Sequence, residues 1–389
     1  MQHLKARFSY PKFRQQPYKI LYLDDDYFLQ KESIAALKQL GHDVTVLNVI
    51  HNPTQMLAQI LKTAVIIQPD CIMSINHAGF DPEGKIAHIL SELSVPVLLW
   101  YLDDFRFIIL KGDIHANPNT AIFTFEKQHI SALRETGFEH VFHLPSATVL
   151  DPARNYKYAE FAGLSNATVF IGSTFNKSKA ARYKPRFPKW TQQLEQQLDL
   201  TQLQHNLFTE IKETQRHYFD TNEAFYHYAS YAMCHATAFY RRHWLQNVAA
   251  RDFHVMGDED WRKANIPGKV HGPVHNVTVA PHIFKMALIN LCFSSQQLGS
   301  SVSLRAFDIP AAGGFLLTDW KDDLAELFDA ENEIVSFRSV DEMNDLIAYY
   351  EKYPDRREPV IQRARERVKN EHQVIHRIQK MLEIAAKIW

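Results

Sequence analysis

Residues 300–320 read SSVSLRAFDIPAAGGFLLTDW, and the fold turns on how that stretch is parsed. A serine-rich entry leads into a short helical pattern, the Gly313-Gly314 pair stops it, and Phe315 to Thr318 reads as a buried parallel strand. Leu304, Phe307 and Ala311 fall on one face of that helix, while Arg305 and Asp308, three apart, share another. One reading is an ordinary αβ unit with a surface ion pair. The other is a ligand seat. A helix entry offers backbone N–H groups, so Gly299-Ser300-Ser301 suits a diphosphate, and a carboxylate further along suits a sugar's paired hydroxyls. Pro310 predicts a short or bent helix, because proline in a helix interior costs about 3 kcal/mol.

Working outward, the same alternation recurs. Strands are expected at Lys19 to Leu23, His42 to Val49, Cys71 to Ile75, Val95 to Tyr101, Ala121 to Phe125 and His140 to Leu144, with helical patterns between most of them. Such alternation means a parallel sheet covered by helices on both faces. Ligands gather at the carboxyl ends of such strands, here Asp24 to Asp26, Asn76 to Gly79, Asp103-Asp104 and Pro145-Ser146. A histidine or carboxylate there, such as His77 or Asp104, can act as general base toward a hydroxyl. A histidine bonded to its own turn and a simple helix cap are the plainer readings of the same residues.

Asp24-Asp25-Asp26 after an apolar strand looks like the acid pocket of a phosphoreceiver domain, but Ser74 stands where the third strand would need its phosphoacceptor aspartate. The triplet also fits an Asp-x-Asp cation site; three acidic residues ending a first strand more often help a loop turn, and no metal is expected.

Asp151 to Asn166 reads as a linker, after which Ala167 to Ile171 restarts the strand pattern. Gly172-Ser173-Thr174 follows, then a basic segment with Lys177 and Arg182, an arrangement suited to close approach of a phosphate. Neither G-x-x-x-x-G-K-S/T nor G-x-G-x-x-G occurs. Trp190 to Val248 predicts long helices packed by aromatics, Val274 to Val279 a weak strand, and Pro359 to the end an amphipathic helix with one six-residue step in its apolar spacing.

At 389 residues the chain exceeds what one core usually serves, so two domains are expected. A net charge of −1 gives no global drive toward nucleic acid. Three isolated cysteines without C-x-x-C spacing suggest neither a disulfide framework nor zinc. No signal peptide or transmembrane run is apparent, so a cytoplasmic setting is expected.

Arg305 to Asp319, continued by Glu333-Ile334-Val335, Tyr349-Tyr350, Pro354 to Arg357 and His376-Arg377, resembles the CgeB-like (spore maturation protein) glycosyltransferase family. Trp100 to Asp104, His143 to Thr148 and Phe170 to Ser173 extend the resemblance over nearly the full chain. It implies an α/β GT-B fold: a Rossmann-like acceptor-side domain over 1–155, a Rossmann-like donor domain over 165–370 facing it across a cleft, and a helix over 371–389 returning to the first. It implies sugar transfer from a nucleotide-diphosphate sugar to an unidentified acceptor, with no other cofactor. Arg305 and Asp308 would then grip ribose and phosphates, and Gly172, Ser173, Gly299, Ser300, Ser301 and Gly313 would complete the donor site. Lys177 or Arg182 would add a cation, and His77 or Asp104 would be the base if the reaction inverts. Related enzymes carry glutamate where Asp308 stands, and many retaining members carry an acid where Ser300 stands, so stereochemistry stays open. A non-catalytic nucleotide-sugar or partner-binding module on the same fold is the alternative.

Overall fold

A computed structural model describes residues 2–109, 116–156, 159–176 and 207–389. The chain divides into two compact units: Met1–Ser146 with Thr221–Tyr226 and Val374–Trp389, and Ala147–Asp220 with His227–Gln373.

The first unit is built on six strands, β1 (Lys19–Asp24), β2 (Asp43–Asn48), β3 (Cys71–Ile75), β4 (Val97–Tyr101), β5 (Thr120–Thr124) and β6 (His140–His143). Their order is β2-β1-β3-β4-β5-β6, with every pairing parallel. β3, β4 and β5 are buried at every residue, which is why they read as unbroken apolar runs rather than alternating ones. The helix Pro53–Ile67 begins where Asn52 accepts a hydrogen bond from the Gln55 N–H at 3.0 Å and Pro53 fills the first turn. Its Met56, Ile60 and Ala64, four apart, meet Leu21, Leu23 and Ile72 in the core. The last helix, Val374–Ile388, packs on the helix Gln30–Gln39, and the Trp389 ring stacks on Phe13 at 6.3 Å between centroids.

The second unit repeats the plan with β7 (Thr168–Ile171), β8 (Phe253–Met256), β9 (Lys269–His271), β10 (Ile289–Cys292), β11 (Leu316–Asp319) and β12 (Val335–Phe337). Their order is β12-β11-β10-β7-β8-β9, again all parallel. The helix Asn222–Gln246 contributes Trp244, which stacks on Phe293 (5.8 Å) and packs against Phe337 (4.9 Å) under the sheet.

Three details depart from the sequence reading. Val274 to Val279 forms turns, not a strand, because the His275 ring accepts from the Thr278 N–H at 3.2 Å while its carbonyl accepts from Val279 and Ala280, starting the helix Ala280–Met286. The edge strand β9 lies just before it, on three residues too few to show a period. The terminal helical pattern is two helices, Glu358–Glu371 and Val374–Ile388. The break falls on the six-residue step between Val368 and Val374, where the His372 carbonyl accepts from the Thr148 N–H at 3.1 Å and Gln373 bridges to Thr148.

Candidate functional site

In a doubly wound sheet the ligand crevice opens where the strand order reverses, at the carboxyl ends. In the second unit that point lies between β7 and β10.

The end of β7 is drawn tightly against β8. Thr174 donates through both its N–H and its hydroxyl to Asp258 at 2.7 Å, and the Gly172 carbonyl accepts from the Trp261 indole at 2.8 Å. A side chain at Gly257 would place its Cβ 2.2 Å from that carbonyl, so only glycine allows the two turns to approach. The end of β10 is tied to β11 by Asp319, whose buried carboxylate accepts from the Ser294 N–H at 3.0 Å, the Ser294 hydroxyl at 3.1 Å and the Tyr240 hydroxyl at 3.0 Å.

Between these two anchored ends lies Arg241, from the helix Asn222–Gln246. Its Nε donates to the Phe293 carbonyl at 3.2 Å and its Nη1 to the Ser173 carbonyl at 3.1 Å, so one guanidinium touches the residues following both β7 and β10. Aromatic faces flank it, with Phe175 at 5.0 Å and Phe170 at 5.9 Å from ring centroid to guanidinium carbon. Burial lowers its pKa from the usual arginine value, and it remains a cation. Sequence reading passed over Arg241 because it sits beside Arg242 in a helix dominated by aromatics, where such a pair looks like solvent-facing charge.

Arg305 opens the seven-residue helix Arg305–Ala311, short as Pro310 predicted. Its Nη1 donates to Asp308 Oδ2 at 3.0 Å, its Nη2 to Asn276 Oδ1 at 2.6 Å, and its guanidinium lies 5.2 Å from the Phe284 ring centroid. Asp308 Oδ1 accepts from the Thr148 hydroxyl at 2.7 Å, so both carboxylate oxygens are engaged within the unit. Burial raises the Asp308 pKa, opposed by the Arg305 cation and the Thr148 bond. The pair is thus an internal ion pair rather than a surface one.

The loop Gly299-Ser300-Ser301 is fixed from below by Lys321, whose buried ammonium donates to the Leu298 carbonyl at 2.9 Å and the Gly299 carbonyl at 3.3 Å, and Ser301 is itself buried. Gly313 lies at the other end of the helix from Arg305. It takes φ +76° there and lets the Gly314 N–H reach back to the Ile309 carbonyl at 2.9 Å, so its need for glycine is conformational. Lys177 and Arg182 lie outside the described residues.

In the first unit, His77 and Asp104 are both buried and both committed. His77 Nε2 donates to the Asp81 carbonyl at 3.2 Å, leaving Nδ1 to accept from the Tyr101 hydroxyl at 3.0 Å, and burial lowers its pKa to about 4. Asp104 is clasped by Arg106 through Nε at 2.7 Å and through Nη2, with His129 beside it, and these partners hold its carboxyl below the usual range despite burial. This geometry gives no support to either as the base that takes an acceptor proton. The acidic triplet is likewise occupied by its own turn: Asp24 accepts from the Asp26 N–H at 2.9 Å, Asp25 from the Gln30 amide at 2.7 Å, and Asp26 pairs with Lys31 at 2.6 Å.

Residues 241–383, a segment that begins at Arg241 and carries Arg305 and Asp308, match the family model described as Glycosyl transferase-like. No curated protein sequence matches the chain. Among solved structures, a sucrose-phosphate synthase from Thermosynechococcus elongatus is similar at TM-score 0.54 and 10% identity, covering 94% of this chain and 97% of that one. Alr3699/HepE of Anabaena, solved with UDP and glucose, is similar at TM-score 0.52 and 11% identity, covering 94% and 98%. The same protein solved with UDP-glucose gives 0.50 at 12% identity, with the same coverage. The fold is therefore α/β of the GT-B type, on two parallel six-stranded sheets.

Proposed function

We propose that the protein is a glycosyltransferase that moves a sugar from a nucleotide-diphosphate sugar to an acceptor hydroxyl, with the donor held by the second unit. The observation that carries this is Arg241, a cation in contact with the carbonyls that follow both strands at the reversal point. Arg305 adds a second positive charge close enough to Arg241 to act on it electrostatically.

Two guanidinium groups in a partly desolvated crevice suit the α- and β-phosphates of a nucleoside diphosphate, whose charge grows as the glycosidic bond breaks. Asp308, oriented by Thr148 and Arg305, offers its remaining lone pairs to ribose hydroxyls. Ser173, exposed just past the end of β7, would stand beside the diphosphate. Arginine supplies the charge, so the reading needs no cation at the acidic triplet. The glycosyl transferase-like match and the UDP or UDP-glucose named in one GT-B neighbour support this donor chemistry. The CgeB-like assignment stands as part of the same proposal.

The test is incubation with a panel of nucleotide sugars, with free nucleotide measured. Release of nucleoside diphosphate from at least one donor, accelerated by an acceptor, is the expected result. Thermal stabilisation by a nucleotide sugar without turnover would instead favour a binding module.

A further inference from the structure

The first unit carries its own strand reversal, between β1 and β3, and the residues there differ in kind from those of the second. Tyr27 and Phe28, just past the end of β1, are 42% and 43% exposed, two large rings side by side in sequence at the place where a doubly wound sheet binds its ligand. Single exposed apolar residues are unremarkable on a protein surface; adjacent rings beside a fixed polar pair are a recognition feature.

The polar pair is Asn76 and Asp103. Asp103 Oδ2 accepts from the Tyr27 hydroxyl and from the Asn76 side-chain amide at 2.8 Å, and Asn76 Oδ1 accepts from the Leu102 N–H at 2.8 Å and the Asp103 N–H at 3.2 Å. These bonds link the residues following β1, β3 and β4. Beneath the rings, the buried Gln30 amide accepts from the Asp25 N–H at 3.0 Å and the Tyr27 N–H at 2.8 Å. The exposed rings thus stand on a loop held from inside, so a ligand would meet a surface that needs little ordering.

We infer that this platform binds the acceptor, and that the acceptor is a neutral, hydroxyl-rich sugar ring. The inference rests on the transferase reading for the role of the bound sugar, although the binding chemistry stands on the platform itself. A pyranose has an apolar C–H face that packs on an aromatic ring and a rim of hydroxyls that donate to a carboxylate and exchange bonds with an amide. Charge narrows the class further. Asp24, Asp25, Asp26 and Asp103 crowd this end of the sheet, with the Lys31 ammonium paired to Asp26. A sugar phosphate or acidic glycan would meet like charge here, and a neutral sugar would not.

The experiment is saturation-transfer NMR on the full chain with methyl α-glucoside, maltose, lactose, chitobiose and glucose 6-phosphate as probes. At least one neutral glycoside is expected to bind through its ring protons, and Tyr27→Ala/Phe28→Ala is expected to weaken that binding about tenfold, as truncation of aromatic anchors does. Asp103→Asn, which keeps the shape, tests the platform without removing a ring and should weaken it as well. Absence of any neutral-glycoside signal, equal binding by the variants, or stronger binding of glucose 6-phosphate would each overturn the inference. Nucleotide release from sugar donors is followed separately, so failure of the transferase reading is distinguishable from failure of the platform.

Discussion

The two strand reversals make the same topological gesture with opposite chemistry. Between β7 and β10, Arg241 bridges two strand ends and Arg305 stands nearby paired to Asp308, while Asp319 is a buried acceptor that fixes other groups. Between β1 and β3, the carboxylates of Asp25, Asp26 and Asp103 and the rings of Tyr27 and Phe28 are exposed, and the uncharged Gln30 is buried beside them. A parallel sheet places any residue that follows a strand at its ligand-facing edge, so composition in those few positions decides what each unit can hold. Cations under aromatic cover suit a diphosphate, whereas carboxylates beside rings suit a neutral polyol.

The comparison can be broken most severely at Asp319. Asp319→Ala leaves the Ser294 N–H and the Tyr240 hydroxyl without their buried acceptor and should destabilise the second unit by about 3 kcal/mol or more, read by urea unfolding. An unchanged midpoint would mean the β10 and β11 ends are not held together as described. The first unit should respond to acid instead. The His77 imidazole stays neutral in the fold down to about pH 4, while in the unfolded chain it takes up a proton from its ordinary 6.5 downward. The unfolded state therefore binds more protons in that window, and up to about 3 kcal/mol of stability, complete above it, is lost as pH falls through it. His77→Gln should flatten the slope of stability against pH between those values.

A smaller effect sharpens the contrast in charge. Arg241→Ala should weaken nucleoside diphosphate binding by about 2 kcal/mol, or about thirtyfold in Kd, by fluorescence or calorimetric titration. The smallest concerns Lys31→Ala. Its pairing with Asp26 is largely solvent-exposed, so the melting temperature should not move, and a clear drop would show that the acidic end of the first sheet depends on that cation.

Much of this was legible in the residues. The inner strands announced themselves because strands buried on both faces are continuous apolar runs, while the exposed edge strand β9 did not, and Pro310 with Gly313-Gly314 set the length of the helix carrying Arg305. The pairing of Arg305 with Asp308 followed from helical spacing. What spacing could not give was depth: Asp308 reaches Thr148, 160 residues away in sequence, and no local pattern reports such a contact. Arg241 was hidden for the same reason, since its partners are carbonyls after β7 and β10 rather than side chains with a signature. His77 and Asp104 looked like bases because they follow strands, but their partners Tyr101, Asp81 and Arg106 turn both inward.

The central claim is that the reversal between β7 and β10 grips a diphosphate through guanidinium charge. Calorimetric titration of UDP into the wild-type chain and into Arg241→Gln tests it most directly. The account predicts saturable one-site binding to the wild type that collapses in the variant and weakens steeply with added salt; equal binding by the two proteins, or no binding of UDP or any other nucleoside diphosphate to the wild type, would contradict it.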